Sequence, residues 1–438
     1  MNHQEAKDLL KHLLPEDTLS LIKVEVFRLS WEGKGYNIIA EETGYDHDYV
    51  RKSGSILWQE LSELLDTSVT KRNFRPLLES QLEKIQHSIQ MVPDYPGAPM
   101  VFSSPHYVER TEEEQQAYHQ LQQPGALIRV KGPRKMGKSS LMLRMLDHAD
   151  ELGYRQVTLD FQMADSSILK NLDKLLRWTC LQMTSQLGLE DQLESHWNEL
   201  IGPKLSCSNY IKDYILSQVG TLVVAINEVN LIFDHQDVSR DFLALLRSWH
   251  EEAKHNPSMQ KLRQLLIYST EVYVQLDLNL SPFNVGLPIE LRPFDDEQLS
   301  RLATSYGFNW PADGSLQSPI RLIQTHIGGH PYLTQLVFYR LVTQEGFIES
   351  PSEALAEILK SASAPNGLFS DYLQHILVAI MDNQDAMSAF RKLRKSADAK
   401  LSRIEMYQLE SLGVVRLRSG QATTSCKVIA DFLAAQIG

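Results

Sequence analysis

Eight residues, Gly132-Pro133-Arg134-Lys135-Met136-Gly137-Lys138-Ser139, set a glycine, four variable positions, a glycine, a lysine and a hydroxyl in that order. The chemistry open to such a run is phosphate binding. Glycines let the backbone turn so that successive N–H groups converge on one anion, and the positive end of a following helix adds to them. Lys138 would set a fixed charge on the terminal phosphate oxygens, and the Ser139 hydroxyl would hold Mg2+, with Ser140 opening the helix behind them. Between residues 124 and 145 stand six basic side chains (Arg129, Lys131, Arg134, Lys135, Lys138, Arg144) and no acidic one, although the whole chain carries a net charge of −12. That local inversion is itself a signal for an anion.

The usual companion of such a loop is an apolar strand ending in Asp, often followed by Glu. The Asp holds Mg2+ and the Glu polarises the attacking water. Here 222–226, Leu-Val-Val-Ala-Ile, runs into Asn227-Glu228-Val229-Asn230. Asn227 keeps the shape of Asp and loses its charge, which a hard divalent cation seeks. Glu228 is the candidate base. Three readings stay open: nucleotide bound without efficient turnover, slow turnover through Glu228, or a different strand in this role. Restoring the acid with Asn227→Asp is expected to raise turnover. Asp160, at the end of the second strand, is a further candidate acid, read first as a capping or core-edge residue.

Further candidates lie at strand and helix ends. Ser269 closes a strand in Ser269-Thr270-Glu271, either facing a γ-phosphate or making an ordinary turn. Arg247 reaches a phosphate or pairs with a carboxylate. His330 and Pro331 follow Gly328-Gly329, where proline suits the first turn of a helix and the glycines leave room for a nucleotide.

Positioning these groups needs strands that end beside one another. Runs at 126–130, 156–161, 222–226, 265–268 and 286–291 are short and mostly apolar, as parallel strands covered on both faces should be. Amphipathic stretches at 139–153 and 238–254 separate them. The pattern is an α/β core, a parallel sheet flanked by helices. Past Arg292 the strand signal stops. Asp295 with Gln298 opens a helical region, helices continue to about 410, and 413–420 with its return from 422 reads as a hairpin. The expected organisation is an all-α module at 1–91, a proline-rich linker with few tertiary contacts at 92–105, the core at 106–291, a helical lid at 292–350 and a C-terminal domain at 351–438.

Composition excludes several classes. Hydrophobic residues make up 43% and charged residues 22%, so disorder is not the main state. The longest apolar run is six residues, 376–381, against the ~18 that span a bilayer. Cys180, Cys207 and Cys426 form no CxxC, which points neither to zinc nor to a disulfide framework. The start of the chain has no apolar signal core, so a cytoplasmic location is expected.

Together, residues 132–139, Ile226-Asn227-Glu228-Val229-Asn230, Leu246-Arg247-Ser248-Trp249-His250-Glu251, Ser269-Thr270-Glu271-Val272-Tyr273, Ser281-Pro282-Phe283-Asn284-Val285-Gly286 and Gly328-Gly329-His330-Pro331-Tyr332 resemble the AAA-like domain family of bacterial STAND-type P-loop ATPases. The family pattern has Asp where Asn227 and Asn230 stand. The resemblance implies an ATP- or ADP-binding switch with Mg2+, a lid that touches the nucleotide, a winged-helix-like end and a nucleotide-dependent homo-oligomer. It also implies the adenine preference, for which Tyr107 is the candidate base contact.

Trp31-Glu32-Gly33-Lys34-Gly35-Tyr36, Gly44-Tyr45, Trp58 and Asn73-Phe74 resemble the helix-turn-helix module ahead of such ATPases in von Willebrand/MoxR-associated conflict-system proteins. A first helix at 36–42, a turn at 43–45 and a second helix from 46 to 65 fit that shape. Residues 1–80 carry 10 basic and 14 acidic side chains, a sum of −4, and residues 51–75 carry 5 and 3, a sum of +2. Arg51, Lys52, Lys71, Arg72 and Arg75 are the candidate phosphate contacts, and this footprint is weak for DNA. Three functions compete: a hydrolysis-impaired switch passing a signal to a separate effector protein, an active ATPase that remodels or loads a partner on nucleic acid, and a nucleotide-tuned transcription regulator.

Overall fold

The structure, a computed structural model, describes residues 20–64, 69–71, 73–75, 77, 93–101, 104–271, 282–312, 314–315, 318–343, 351–364, 366–396, 399–418 and 421–437. The chain divides into two compact units, residues 1–93 and 94–438.

In the first unit, α1 (Leu21–Trp31), α2 (Tyr36–Thr43) and α3 (His47–Leu64) form a helix-turn-helix arrangement. Gly44 ends α2 in the left-handed region, and Asp46 Oδ1 accepts from the N–H groups of Asp48 and Tyr49 to start α3. Both boundaries fall where the turn residues place them. Phe27, Trp31, Trp58 and Phe74 pack as an aromatic centre with ring separations of 4.7–6.5 Å. Lys71 lies 3.9 Å over the Tyr36 ring and Arg75 5.0 Å over Trp31. Two of the five candidate phosphate contacts are therefore engaged on the module's own aromatic rings; Arg51 and Lys52 are exposed, and Arg72 lies outside the described residues.

The second unit contains α4 (Thr111–Leu121) ahead of a five-stranded parallel sheet: β1 (Leu127–Gly132), β2 (Arg155–Asp160), β3 (Leu222–Asn227), β4 (Leu262–Ser269) and β5 (Leu287–Glu290), in the order β2-β3-β4-β1-β5. All five strands lie where short apolar runs place them. Alternate side chains go to opposite faces. Ile128, Val130, Val223, Ala225, Leu265 and Ile267 meet Leu141 and Met145 of α5 (Lys138–Glu151) on one face. Val224, Ile226, Leu262 and Leu266 meet Leu175 and Leu176 of α6 (Leu172–Leu187) and Phe242 and Leu246 of α7 (Gln236–Glu252) on the other. The fold also brings Cys180 and Cys207, 27 positions apart, to 3.5 Å in this layer as free buried thiols.

The stretch expected as the lid opens with α8 (Asp296–Ser305), where Asp295 and Gln298 form the expected capping box, and continues in α9 (Pro319–Ile327) and α10 (Pro331–Thr343). The C-terminal part contains α11 (Pro351–Ser361), α12 (Ser370–Met381), α13 (Gln384–Lys395), α14 (Arg403–Ser411), the hairpin β6 (Val415–Arg418) and β7 (Gln421–Thr424), and α15 (Lys427–Ile437). One apolar core holds Leu302, Ile323, Val337 and Leu341 of the lid together with Leu355, Leu373, Phe390 and Phe432. The expected division at 350 is thus not a division of the core. Among the described residues no helix is long and apolar enough to cross a membrane.

Gly329 packs against the segment that leads out of the sheet into α8. It sits at φ +69°, its carbonyl accepts from Phe294 N–H at 2.8 Å, and a Cβ there would run into the Phe294 carbonyl oxygen. The glycine leaves room for the backbone at Phe294, where the sequence alone reserves that room for a nucleotide. Gly329→Ala adds a left-handed strain of ~1–2 kcal/mol to a clash against main chain, so a loss of about 3 kcal/mol is expected in urea unfolding.

Candidate functional site

The loop 132–139 joins β1 to α5, and Lys138 and Ser139 begin the helix. A cleft of about 510 Å3 opens over it. Arg134, Lys135, Gly137, Lys138, Ser139 and Ser140 form its floor, Asp160, Gln162, Asn227 and Glu228 one wall, and Pro331, Tyr332 and Gln335 of the lid another. Gly97, Ala98, Pro99 and Met100 complete the enclosure.

This last wall corrects the linker expectation. Lys135 Nζ donates to Gly97 O at 2.8 Å and lies 4.9 Å over the Tyr332 ring, and Met100 N–H donates to Ser140 Oγ at 2.9 Å. Pro96 and Pro99 flank a turn at Gly97, φ +148°, and the backbone groups of this stretch bond the loop beside it.

Lys138 is 6% exposed, and its Nζ donates to Gly132 O at 3.0 Å and Pro133 O at 2.8 Å. Burial pushes its pKa down to about 8, against the opposing charges of Glu228 and Glu271. Glu271 Oε1 accepts from Arg134 N–H at 2.9 Å, and its Oε2 lies 3.2 Å from His375 Nε2 on α12. Arg110, which the sequence reading missed, is buried and donates to Arg292 O at 2.6 Å and Met136 O at 3.1 Å, tying the loop to the start of the lid. Only its distance from the motif hid it; Glu114, four residues on, accepts from its N–H at 2.7 Å.

Asn227, 8% exposed, ends β3; its Nδ2 donates to Asp160 Oδ2 at 3.2 Å, and its Oδ1 is buried without a partner. Glu228 lines the cleft with φ +55°, a strained value for a non-glycine residue and one found where function holds it. Its Oε2 accepts from Asn230 Nδ2 at 3.2 Å, and Asn230 Oδ1 accepts from Ser269 N–H at 2.8 Å. Asn230 is thereby a strand-to-strand tie.

Other candidates stand apart from the cleft lining. Ser269 pairs with Gly132 across β4 and β1, with its Oγ buried. Arg247 pairs with Glu251 at 2.9 Å and donates to Asn284 Oδ1 at 2.7 Å, the carboxylate alternative plus a tie to the Phe283-Asn284 turn. Gly286, at φ +69°, lets that turn pass the Leu127 carbonyl. Tyr107 donates its hydroxyl to Glu114 at 2.7 Å and lies under Arg144, 3.9 Å from its ring, so the structure does not bring the expected base contact to the cleft. Of the Gly-Gly-His-Pro run, Pro331 reaches the cleft, while the His330 ring turns to a second cavity, of about 1020 Å3, and sits 3.0 Å from Tyr372 Oη. Burial pushes its pKa down to about 3, which keeps it neutral.

Among the described residues no three His, Cys, Asp or Glu side chains gather as a metal site. The cleft does offer hard oxygen donors, the Ser139 hydroxyl, the unpartnered Asn227 Oδ1 and the Asp160 and Glu228 carboxylates, and this set fits Mg2+ arriving with phosphates. When bound, the ion would neutralise phosphate charge.

A parallel sheet with a phosphate loop at the end of its β1 strand defines a P-loop ATPase fold. A family profile for an AAA-like domain matches residues 95–435, and the chain belongs to that family. The profile of a vWA-MoxR associated protein N-terminal helix-turn-helix matches residues 1–81. No curated protein matches in sequence. Among solved structures, the Walker-type ATPase of Pyrococcus abyssi is 15% identical, with a TM-score of 0.51 over 78% of this chain and 99% of its own. The ORC2 protein of Aeropyrum pernix is 14% identical, with a TM-score of 0.44 over 80% and 98%.

Proposed function

We propose that the chain is a nucleotide-gated switch of a bacterial conflict or regulatory system, binding ATP or ADP with Mg2+ and passing its state to a separate protein. One observation carries this reading: the cleft over Lys138 is walled by core, lid and 97–100 together, so an occupant touches all three. Residues 97–100 lie past the helix-turn-helix module in sequence, so an occupant of the cleft touches the stretch that leads from it. Turnover is slow, because Asn227 withholds a charge from the strand end that normally carries it. The module meets protein: its cations Lys71 and Arg75 cover aromatic rings, while Ile38, Tyr45, Tyr49 and Ile56 are exposed. A nucleotide-dependent homo-oligomer belongs to the same reading.

Glu228, strained and facing the cleft, favours a working ATPase as the second reading. Single-turnover hydrolysis of γ-labelled ATP separates the two. The switch predicts rates on the order of 10⁻² s⁻¹ or below, as in switches that hold their nucleotide, and changed hydrogen exchange at 97–100 between ATP and ADP. Rapid turnover that depends on Glu228 would establish the working ATPase.

A further inference from the structure

We propose that Asp160 supplies, from the neighbouring strand, the carboxylate charge for the nucleotide-bound divalent cation that Asn227 lacks. The inference rests on the cleft being a nucleotide site, and it turns a missing charge into a displaced one.

Asp160 and Asn227 are paired residues at the C-terminal ends of β2 and β3, and both line the cleft with Lys138, Ser139 and Glu228. Neighbouring strands lie ~4.8 Å apart, so an acid moved one strand over stays within reach of a water-mediated contact to the same ion. The two side chains are coupled. Asp160 Oδ1 accepts from Gln162 N–H at 3.0 Å and caps the turn that follows β2, which is the role the sequence suggested. Its Oδ2 accepts from Asn227 Nδ2 at 3.2 Å. That bond orients the amide: with Nδ2 committed to Asp160, the oxygen end of a side chain that is 8% exposed accepts nothing. An orphaned buried acceptor calls for a partner, and a hydrated cation is one. An Asp at 227 would instead set two carboxylates at this distance, where like charges oppose each other. The Asp160–Asn227 pair therefore carries the same single negative charge as one acid at 227, with the charge on the other strand. Cation affinity is kept, while the acid stands away from the segment that carries Glu228, which agrees with slow turnover. The expectation that Asn227→Asp alone raises turnover is revised accordingly.

The test uses the full chain, with ATP titrated by calorimetry in EDTA and in Mg2+, and Mn2+ binding in the presence of ADP followed by electron paramagnetic resonance. Asp160→Asn keeps an oxygen to cap the turn and removes the charge; its new NH2 faces Asn227 Nδ2, so the Asn227 amide must turn over to accept from it. It is expected not to lower ATP affinity in EDTA, where a carboxylate in the cleft only repels the phosphates, and to weaken Mn2+ binding and the Mg2+-dependent gain by ~10–100-fold. Asn227→Asp alone is expected to gain nothing, and the exchange Asp160→Asn with Asn227→Asp to recover most of the loss. Mn2+ affinity of Asp160→Asn within twofold of wild type would overturn the proposal, as would an equal loss in EDTA or an exchange variant no better than Asp160→Asn. Absence of ATP binding by the wild type in both conditions would instead refute the nucleotide site itself.

Discussion

Lys138→Ala is expected to weaken nucleotide binding by about 10²–10³-fold. The ammonium is buried and held by two loop carbonyls, Gly132 O and Pro133 O, so it is already positioned before an anion arrives. Charge-assisted hydrogen bonds to phosphate contribute ~1.5–3 kcal/mol each, and losing one or two accounts for that range. The same burial sets a pH signature. The free protein's Lys138 has a pKa of about 8, below its ordinary value, so the cationic form that binds phosphate is fully present below that pH. A bound polyanion favours the cation and raises the pKa. Affinity should therefore decline as pH climbs past about 8, with proton uptake on binding near that pH. Calorimetry in buffers of different ionisation enthalpy measures the uptake, and Lys138→Ala should abolish it. Equal affinity in both proteins, or binding without proton uptake near pH 8, contradicts the assignment.

The second large effect concerns residues 97–100. A chain beginning at Asp94 is expected to bind nucleotide as the full chain does, because the second compact unit starts there. A chain beginning at Val101 loses the Gly97 carbonyl on Lys135 and the Met100 N–H on Ser140. Each such bond stabilises by ~0.5–1.5 kcal/mol, and the cleft also loses one of its walls. Nucleotide affinity should fall about tenfold or more and the melting temperature by several degrees. Identical affinities for the two shortened chains would return 97–100 to the status of a bare tether.

The positions of all five strands, the phosphate loop, the helix-turn-helix bounds and the Asp295 capping box were legible in the sequence. Each is carried by contiguous residues, through apolar alternation, turn glycines or a side chain bonding its own backbone three residues on. Other readings turned on side-chain partners that composition and spacing do not announce. Tyr107 read as a base contact until Glu114 and Arg144 took its hydroxyl and ring. His330 read as nucleotide-facing until Tyr372 and burial turned it inward. Arg247, open to a phosphate or a carboxylate in the sequence, pairs with Glu251 and bonds Asn284. The proline-rich stretch read as a linker because composition reports stiffness and missing donors, not what lies alongside.

By itself the sequence determined that a phosphate loop follows a buried strand, since local backbone geometry and hydrophobic period are properties of neighbouring residues. It also showed that the strand end expected to carry an acid carries Asn227. Only the tertiary structure decided that this amide stands beside Asp160, 67 positions earlier in the chain. Strand order and register create that contact, and they follow from how the whole sheet packs, so no local pattern encodes it.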